Sequence, residues 1–132
     1  MTLDTLVARL REAGVPDPKT DAALLIRHFC GVSAATLLAD RGREYASAAL
    51  EEAVAKRLNR TPLQYIIGET AFFDETYRVT PAVLIPRADT ETLVEEAIAR
   101  IPKGVAFGDL CAGSYILKHF VSRRRYAKKR RI

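Results

Sequence analysis

The sequence of 132 residues has no tryptophan, one methionine and only two cysteines. Cys30 and Cys111 are far apart, and no histidine stands at metal-ligand spacing from them, so we expect two reduced thiols and no bound metal. No apolar run approaches the roughly eighteen residues of a membrane span. The first ten residues carry Asp4 and Arg9 in an amphipathic pattern, unlike a signal peptide, and we therefore expect a cytoplasmic protein without membrane partners.

The last eighteen residues lack acidic side chains altogether. They contain 8 of the 21 lysines and arginines, so residues 1–114 carry 13 basic residues against all 16 acids. The formal charge of +5 therefore belongs to one end of the chain. Most of the sequence is mildly acidic, which argues against a general nucleic-acid-binding surface.

Four short amphipathic helices are predicted within the first sixty residues. In the first, the apolar positions recur at i, i+3, i+4 and i+7 and Gly14 follows. Asp17, Ser33 and Ser47 are the expected N-caps of the next three, with Gly42 closing the third. Short helices joined by short loops predict a small helical bundle, with the lone His28 at its edge or surface.

The pattern changes after residue 60. One helical turn is predicted at residues 62–68, then two strands around residues 74–76, then a helix capped by Asp89 or Thr90. The inward side of that helix is expected to hold Leu93, Val94, Ala97, Ile98 and Ile101. Residues 105–110 are predicted to form a buried strand. The expected fold is mainly α: a helical bundle, a β-hairpin and the start of an α/β, Rossmann-like unit.

Two short motifs indicate ligand contacts. In "VAFGDLCAGS" (residues 105–114) an apolar strand ends in an acid and a turn of small residues, as where doubly wound folds bind nucleotides. The three-glycine fingerprint is not met, because Cys111 and Tyr115 stand where glycines are needed. In "LIPRADTE" (residues 84–91) a helix begins after a proline and an arginine, and its free N–H groups can bind a polar ligand. Taken singly, an ordinary turn and ordinary helix capping explain these motifs better.

Taken together with "RTPLQYIIG" (residues 60–68) and "FFDETYRV" (residues 72–79), the two motifs make the sequence resemble the HemK/PrmC family. Members of this family methylate the glutamine of the GGQ motif in peptide-chain release factors. The resemblance covers residues 1–114. It implies four regions: a release-factor-docking bundle at 1–70, a hairpin connector at 71–82, the start of the S-adenosylmethionine-binding domain at 83–114, and a basic tail outside the family at 115–132.

The resemblance also implies which residues contact the cofactor, S-adenosylmethionine. Four come from the segment before the first methyltransferase strand and five from the glycine-rich turn. They are Pro86, Arg87, Thr90, Glu91, Asp109, Cys111, Ala112, Gly113 and Ser114. The implied partner is a release factor, and no metal is implied.

The sequence differs from the family in the features that the family uses to bind the cofactor and to position the glutamine. Tyr115 stands where the family continues its turn with glycine, so we expect weak or no cofactor binding. A glutamine amide nitrogen is a poor nucleophile, and the family holds it in line with an Asn-Pro-Pro-Tyr motif. That motif does not occur in these 132 residues, and we therefore expect no catalytic residue and no methyl transfer by this chain alone.

Two other functions stay open. The basic tail, with its arginines and tyrosines, could bind nucleic acid or lie on an anionic membrane surface. A fragment of an N6-adenine amino-methyltransferase would share the turn, although the bundle and "QYIIG" argue against it. The favoured interpretation of the tail is a frameshift, a truncated gene or an engineered end.

Overall fold

The computed structural model describes residues 1–73, 75–102, 104–108, 110, 116, 118, 119, 121 and 122, hereafter the described residues. They form two compact units, Met1–Ile67 and Gly68–Ile132. The first is helical, and the second contains a β-hairpin and a helix. The prediction of a mainly α fold with one hairpin is confirmed.

The first unit consists of short helices in sequence order. They are α1 (Leu3–Glu12), α2 (Pro18–Cys30), α3 (Ala34–Ala39), α4 (Ala48–Leu58) and α5 (Leu63–Ile67). Helices α1, α2 and α4 pack around side chains that are fully buried: Leu6, Leu10, Leu25, Ile26, Leu50 and Val54. These residues recur at helical spacing, so the apolar stripes read from the sequence form the core of the bundle.

Local hydrogen bonds start three of these helices at the predicted residues. The Asp17 carboxylate accepts the Thr20 N–H at 3.2 Å, and the Ser33 hydroxyl accepts the Thr36 N–H at 3.0 Å. Ser47 accepts the Leu50 N–H at 3.5 Å. The predicted closure of α3 at Gly42 is wrong, since Asp40 already terminates the helix, with φ of −130° and ψ of 78°. The lone His28 is exposed, as expected.

The second unit opens with an antiparallel hairpin of β1 (Glu69–Phe72) and β2 (Glu75–Arg78). Phe72 pairs with Glu75, so two residues make the connection. Glu75 and Thr76 were predicted to lie in the turn but are the first two residues of β2. The reason is that Phe73 adopts a φ of 54°, the positive value that a two-residue hairpin loop requires at its first position.

Helix α6 spans Ala88–Arg100 and begins two or three residues earlier than predicted. Arg87 is its N-cap and makes no side-chain capping bond, so the expected caps at Asp89 and Thr90 are wrong. Both residues instead lie in the first turn, where Asp89 interacts favourably with the helix dipole. Leu93 was expected to face inward but is 58% exposed, because the buried stripe is centred on the neighbouring Val94.

The core of the second unit joins the hairpin to α6. Its buried members are Phe72, Val94, Ile116 and Val121. The predicted buried strand at residues 105–110 is wrong for residues 105–108, which lie outside any strand. Val105 is 51% exposed. A strand forms only beside a neighbouring strand, and the sheet of the described residues consists of β1 and β2 alone.

The described helices are short. The longest, α2 and α6, have 13 residues each, and none of them has the length and apolar character needed to cross a membrane.

Candidate functional site

The segment that leads into α6 carries four of the nine predicted cofactor residues. Pro86 is half-buried and Arg87 is exposed. The backbone of Arg87 is extended, with φ of −96° and ψ of 152°. Thr90 lies in the first turn, and its N–H donates to the Arg87 carbonyl at 3.0 Å. A backbone hydrogen bond therefore closes the first turn of α6, while Arg87 lies at the surface.

Glu91, the fourth of these residues, contacts the hairpin. Its Oε1 accepts the backbone N–H of Phe73 at 2.7 Å. The carboxylate is half-buried, and Asp89 in the same turn is exposed. The structure therefore brings the first turn of α6 next to the hairpin turn, a proximity that the sequence analysis missed. The signal that points to the turn is the two-residue spacing between "TAF" and "ETYR", which requires a constrained loop.

The five remaining predicted residues, Asp109, Cys111, Ala112, Gly113 and Ser114, lie outside the described residues. The segment at the start of α6 supplies backbone N–H donors, one exposed guanidinium and a carboxylate already bonded to the hairpin. A contact of these groups with S-adenosylmethionine stays a prediction. In the part of the chain that the structure describes, no three His, Cys, Asp or Glu side chains are grouped to hold a metal ion.

In the first unit, the motif "RTPLQYIIG" has a structural explanation at its first residue. The Arg60 side chain reaches back to the end of α1, where its Nη1 donates to the carbonyls of Ala13 and Gly14 at 3.2 and 2.5 Å. Arg60 itself has a φ of 67°. The motif thus links the end of α4 to the turn between α1 and α2.

Comparison with known proteins shows which family the helical bundle belongs to. Residues 2–68 match the family model described as the PrmC N-terminal domain, just over half of the chain. The chain belongs to the PrmC family. The match ends within one residue of the boundary of the first unit, so the PrmC N-terminal domain is the helical bundle of α1 to α5.

Full-length relatives extend the likeness beyond the bundle. The chain is 41% identical over 114 residues to a protein of Mycolicibacterium smegmatis named "Release factor glutamine methyltransferase". Proteins of the same name from Moorella thermoacetica and Caulobacter vibrioides are 39% and 34% identical. These alignments cover 85%, 75% and 80% of this PrmC-family chain, but only 41%, 36% and 38% of the relatives. The chain therefore spans about 40% of the length of the curated relatives it matches.

Proposed function

We propose that this chain is the N-terminal part of a methyltransferase that transfers a methyl group from S-adenosylmethionine to the GGQ glutamine of a peptide-chain release factor. The observation that carries the proposal is the PrmC N-terminal domain match over the whole first unit. Relatives that bear the release-factor name and align beyond the bundle support it. In this proposal the helical bundle docks the release factor.

The proposed S-adenosylmethionine pocket includes the segment that leads into α6. Pro86, Arg87, Thr90 and Glu91 line one side of the S-adenosylmethionine pocket. Residues 109 and 111–114 supply the glycine-rich turn. Support comes from the exposed Arg87 guanidinium and from N–H groups in the first turn of a helix that no side chain caps. Calorimetry with S-adenosylmethionine is expected to detect very weak or no binding, because Tyr115 replaces a glycine. Micromolar binding would contradict this expectation.

Catalysis requires more than this chain contains. Methylation assays with a release factor and labelled cofactor are expected to give no transfer, because no Asn-Pro-Pro-Tyr motif fixes the amide nitrogen. Transfer above a no-enzyme control would show that another group performs that task.

Binding of a release factor is the deciding experiment. The full chain and a version ending at Ser114 are titrated with a purified release factor and with a 20-nucleotide RNA. Docking by the bundle predicts that release-factor binding survives the deletion and is abolished by Leu6→Asp, which disrupts the core. Salt-dependent RNA binding that is lost with residues 115–132, together with no affinity for the release factor, would favour a nucleic-acid-binding module instead.

A further inference from the structure

The hairpin turn and the first turn of α6 are joined by one hydrogen bond between residues distant in sequence. The Phe73 N–H donates to Glu91 Oε1 at 2.7 Å, and the bond is partly buried. A short bond from an N–H to a carboxylate is stronger than one to a neutral oxygen. This bond therefore links the hairpin turn directly to the first turn of α6.

The backbone of the hairpin turn requires stabilisation of this kind at Phe73. Phe73 has a φ of 54°, an unfavourable value for an aromatic residue. Its neighbour Phe72 is 1% exposed, and the two rings stand nearly perpendicular with centroids 5.2 Å apart. The turn is thus held beside the core, where a backbone N–H without an acceptor would be costly. The Glu91 carboxylate removes that cost.

We infer that Glu91 is a positioning residue that fixes the start of α6 against the hairpin turn. By holding Phe73, the carboxylate sets where Arg87 and Thr90 stand at the beginning of the helix. This role differs from the cofactor contact that the family resemblance implies for Glu91. It concerns the folded chain alone and holds whether or not the proposed function is correct.

The other glutamates of α6 provide matched controls. Glu95 is exposed on the same helix, and Glu96 pairs with Arg100 at 2.8 Å along the helix surface. Neither has a hydrogen bond to the hairpin among the bonds observed for the described residues. A substitution at Glu95 therefore removes the same charge from α6 without removing an acceptor for Phe73.

Amide hydrogen exchange measured by NMR tests the bond. Glu91→Ala is expected to accelerate exchange of the Phe73 amide by about tenfold or more, because a charge-assisted bond is lost. Glu91→Gln keeps an acceptor oxygen and is expected to stay within about threefold of the original chain. Glu95→Ala should leave the rate unchanged. Equal rates in the original chain and Glu91→Ala, or equal acceleration by Gln and Ala, would overturn the inference.

A distance measurement tests positioning separately from stability. Spin labels are placed on the exposed Thr76 of β2 and Thr92 of α6 in a variant with both cysteines replaced by serine. Glu91→Ala is expected to broaden the distance distribution between the labels at a temperature where circular dichroism shows the helix intact. Glu91→Gln is expected to restore the narrow distribution. An unchanged distribution in Glu91→Ala would show that the carboxylate does not position the helix.

Discussion

The Asp21 carboxylate accepts the Nε–H of Arg57 at 2.6 Å, joining α2 to α4 inside the bundle. Only 11% of the Asp21 side chain and 13% of the Arg57 side chain are exposed. Arg57 also donates from Nη1 to the Thr61 carbonyl at 3.0 Å, which ties the start of the α5 segment to the same pair. One buried ion pair thus connects three parts of the PrmC N-terminal domain.

Breaking this pair is expected to destabilise the bundle. Asp21→Ala leaves the Arg57 guanidinium nearly buried without its carboxylate, at a cost of about 3 kcal/mol in the free energy of unfolding. Urea denaturation followed by circular dichroism measures the loss. The control is Glu52→Ala, which removes the exposed Glu52–Lys56 pair and should not measurably change the midpoint. Equal midpoints for the two variants would show that the buried pair contributes nothing.

Acid is expected to weaken the start of α2. The pKa of the Asp17 carboxyl lies below its ordinary value of 3.8, first because the Thr20 side chain and then the Thr20 N–H donate to it, with Lys19 adding a smaller attraction. The folded state therefore prefers the carboxylate. Its stabilisation is complete above the unfolded pKa and is lost as the pH falls through the lower folded pKa.

The Asp17→Asn variant isolates this effect, because asparagine caps a helix without titrating. Melting temperatures of both chains are measured from about pH 6 to about pH 2. Relative to Asp17→Asn, the original chain should lose stability towards the acid end of this range. A constant difference between the two chains would contradict the assigned cause.

Two substitutions of Arg60 separate the contribution of its side-chain hydrogen bonds to stability from the cost of its positive φ. Arg60→Ala removes the bonds to Ala13 and Gly14 while keeping a Cβ at a φ of 67°, and should cost about 1 kcal/mol of unfolding free energy. Arg60→Gly removes the same bonds but suits the positive φ, so it should be more stable than the alanine variant. Chemical denaturation of the three chains ranks them. If the glycine variant is the less stable one, backbone strain does not contribute at this position.

Alanine substitutions at Phe72 and Leu93 compare a buried position of the second unit with an exposed one. Phe72→Ala empties a fully buried site and is expected to cost about 3 kcal/mol, read from amide exchange of β1. Leu93→Ala, at a position 58% exposed, should change the stability by less than about 0.5 kcal/mol. A large loss in Leu93→Ala would place that side chain in the core after all, as its sequence pattern had predicted.

The sequence predicted the bundle well because its signals are local. An N-cap such as Asp17 or Ser33 bonds to an N–H three residues later, so the residues that decide the helix start are adjacent in the chain. The second unit was predicted less well. Arg87 caps α6 without a side-chain bond, and residues 105–108 form no strand, because both outcomes depend on neighbouring elements.

The candidate site divides in the same way. Pro86, Arg87 and Thr90 lie together at the start of α6, as consecutive residues in one motif must. Their role with the cofactor stays a prediction, as does that of residues 109 and 111–114. The contact of Glu91 with Phe73 was not foreseen, since nothing in a helix-start motif indicates which turn will lie beside it.

The sequence by itself determined the family of this protein and the helices of its bundle, because motif order, apolar periodicity and capping residues act over a few positions along the chain. Only the tertiary structure decided which polar groups lie together. Asp21 and Arg57 are 36 residues apart, and Phe73 and Glu91 are 18 apart. Each pair forms because folding buries the surrounding backbone and side chains. Away from water, a charged or hydrogen-bond-donating group must find a partner within the protein.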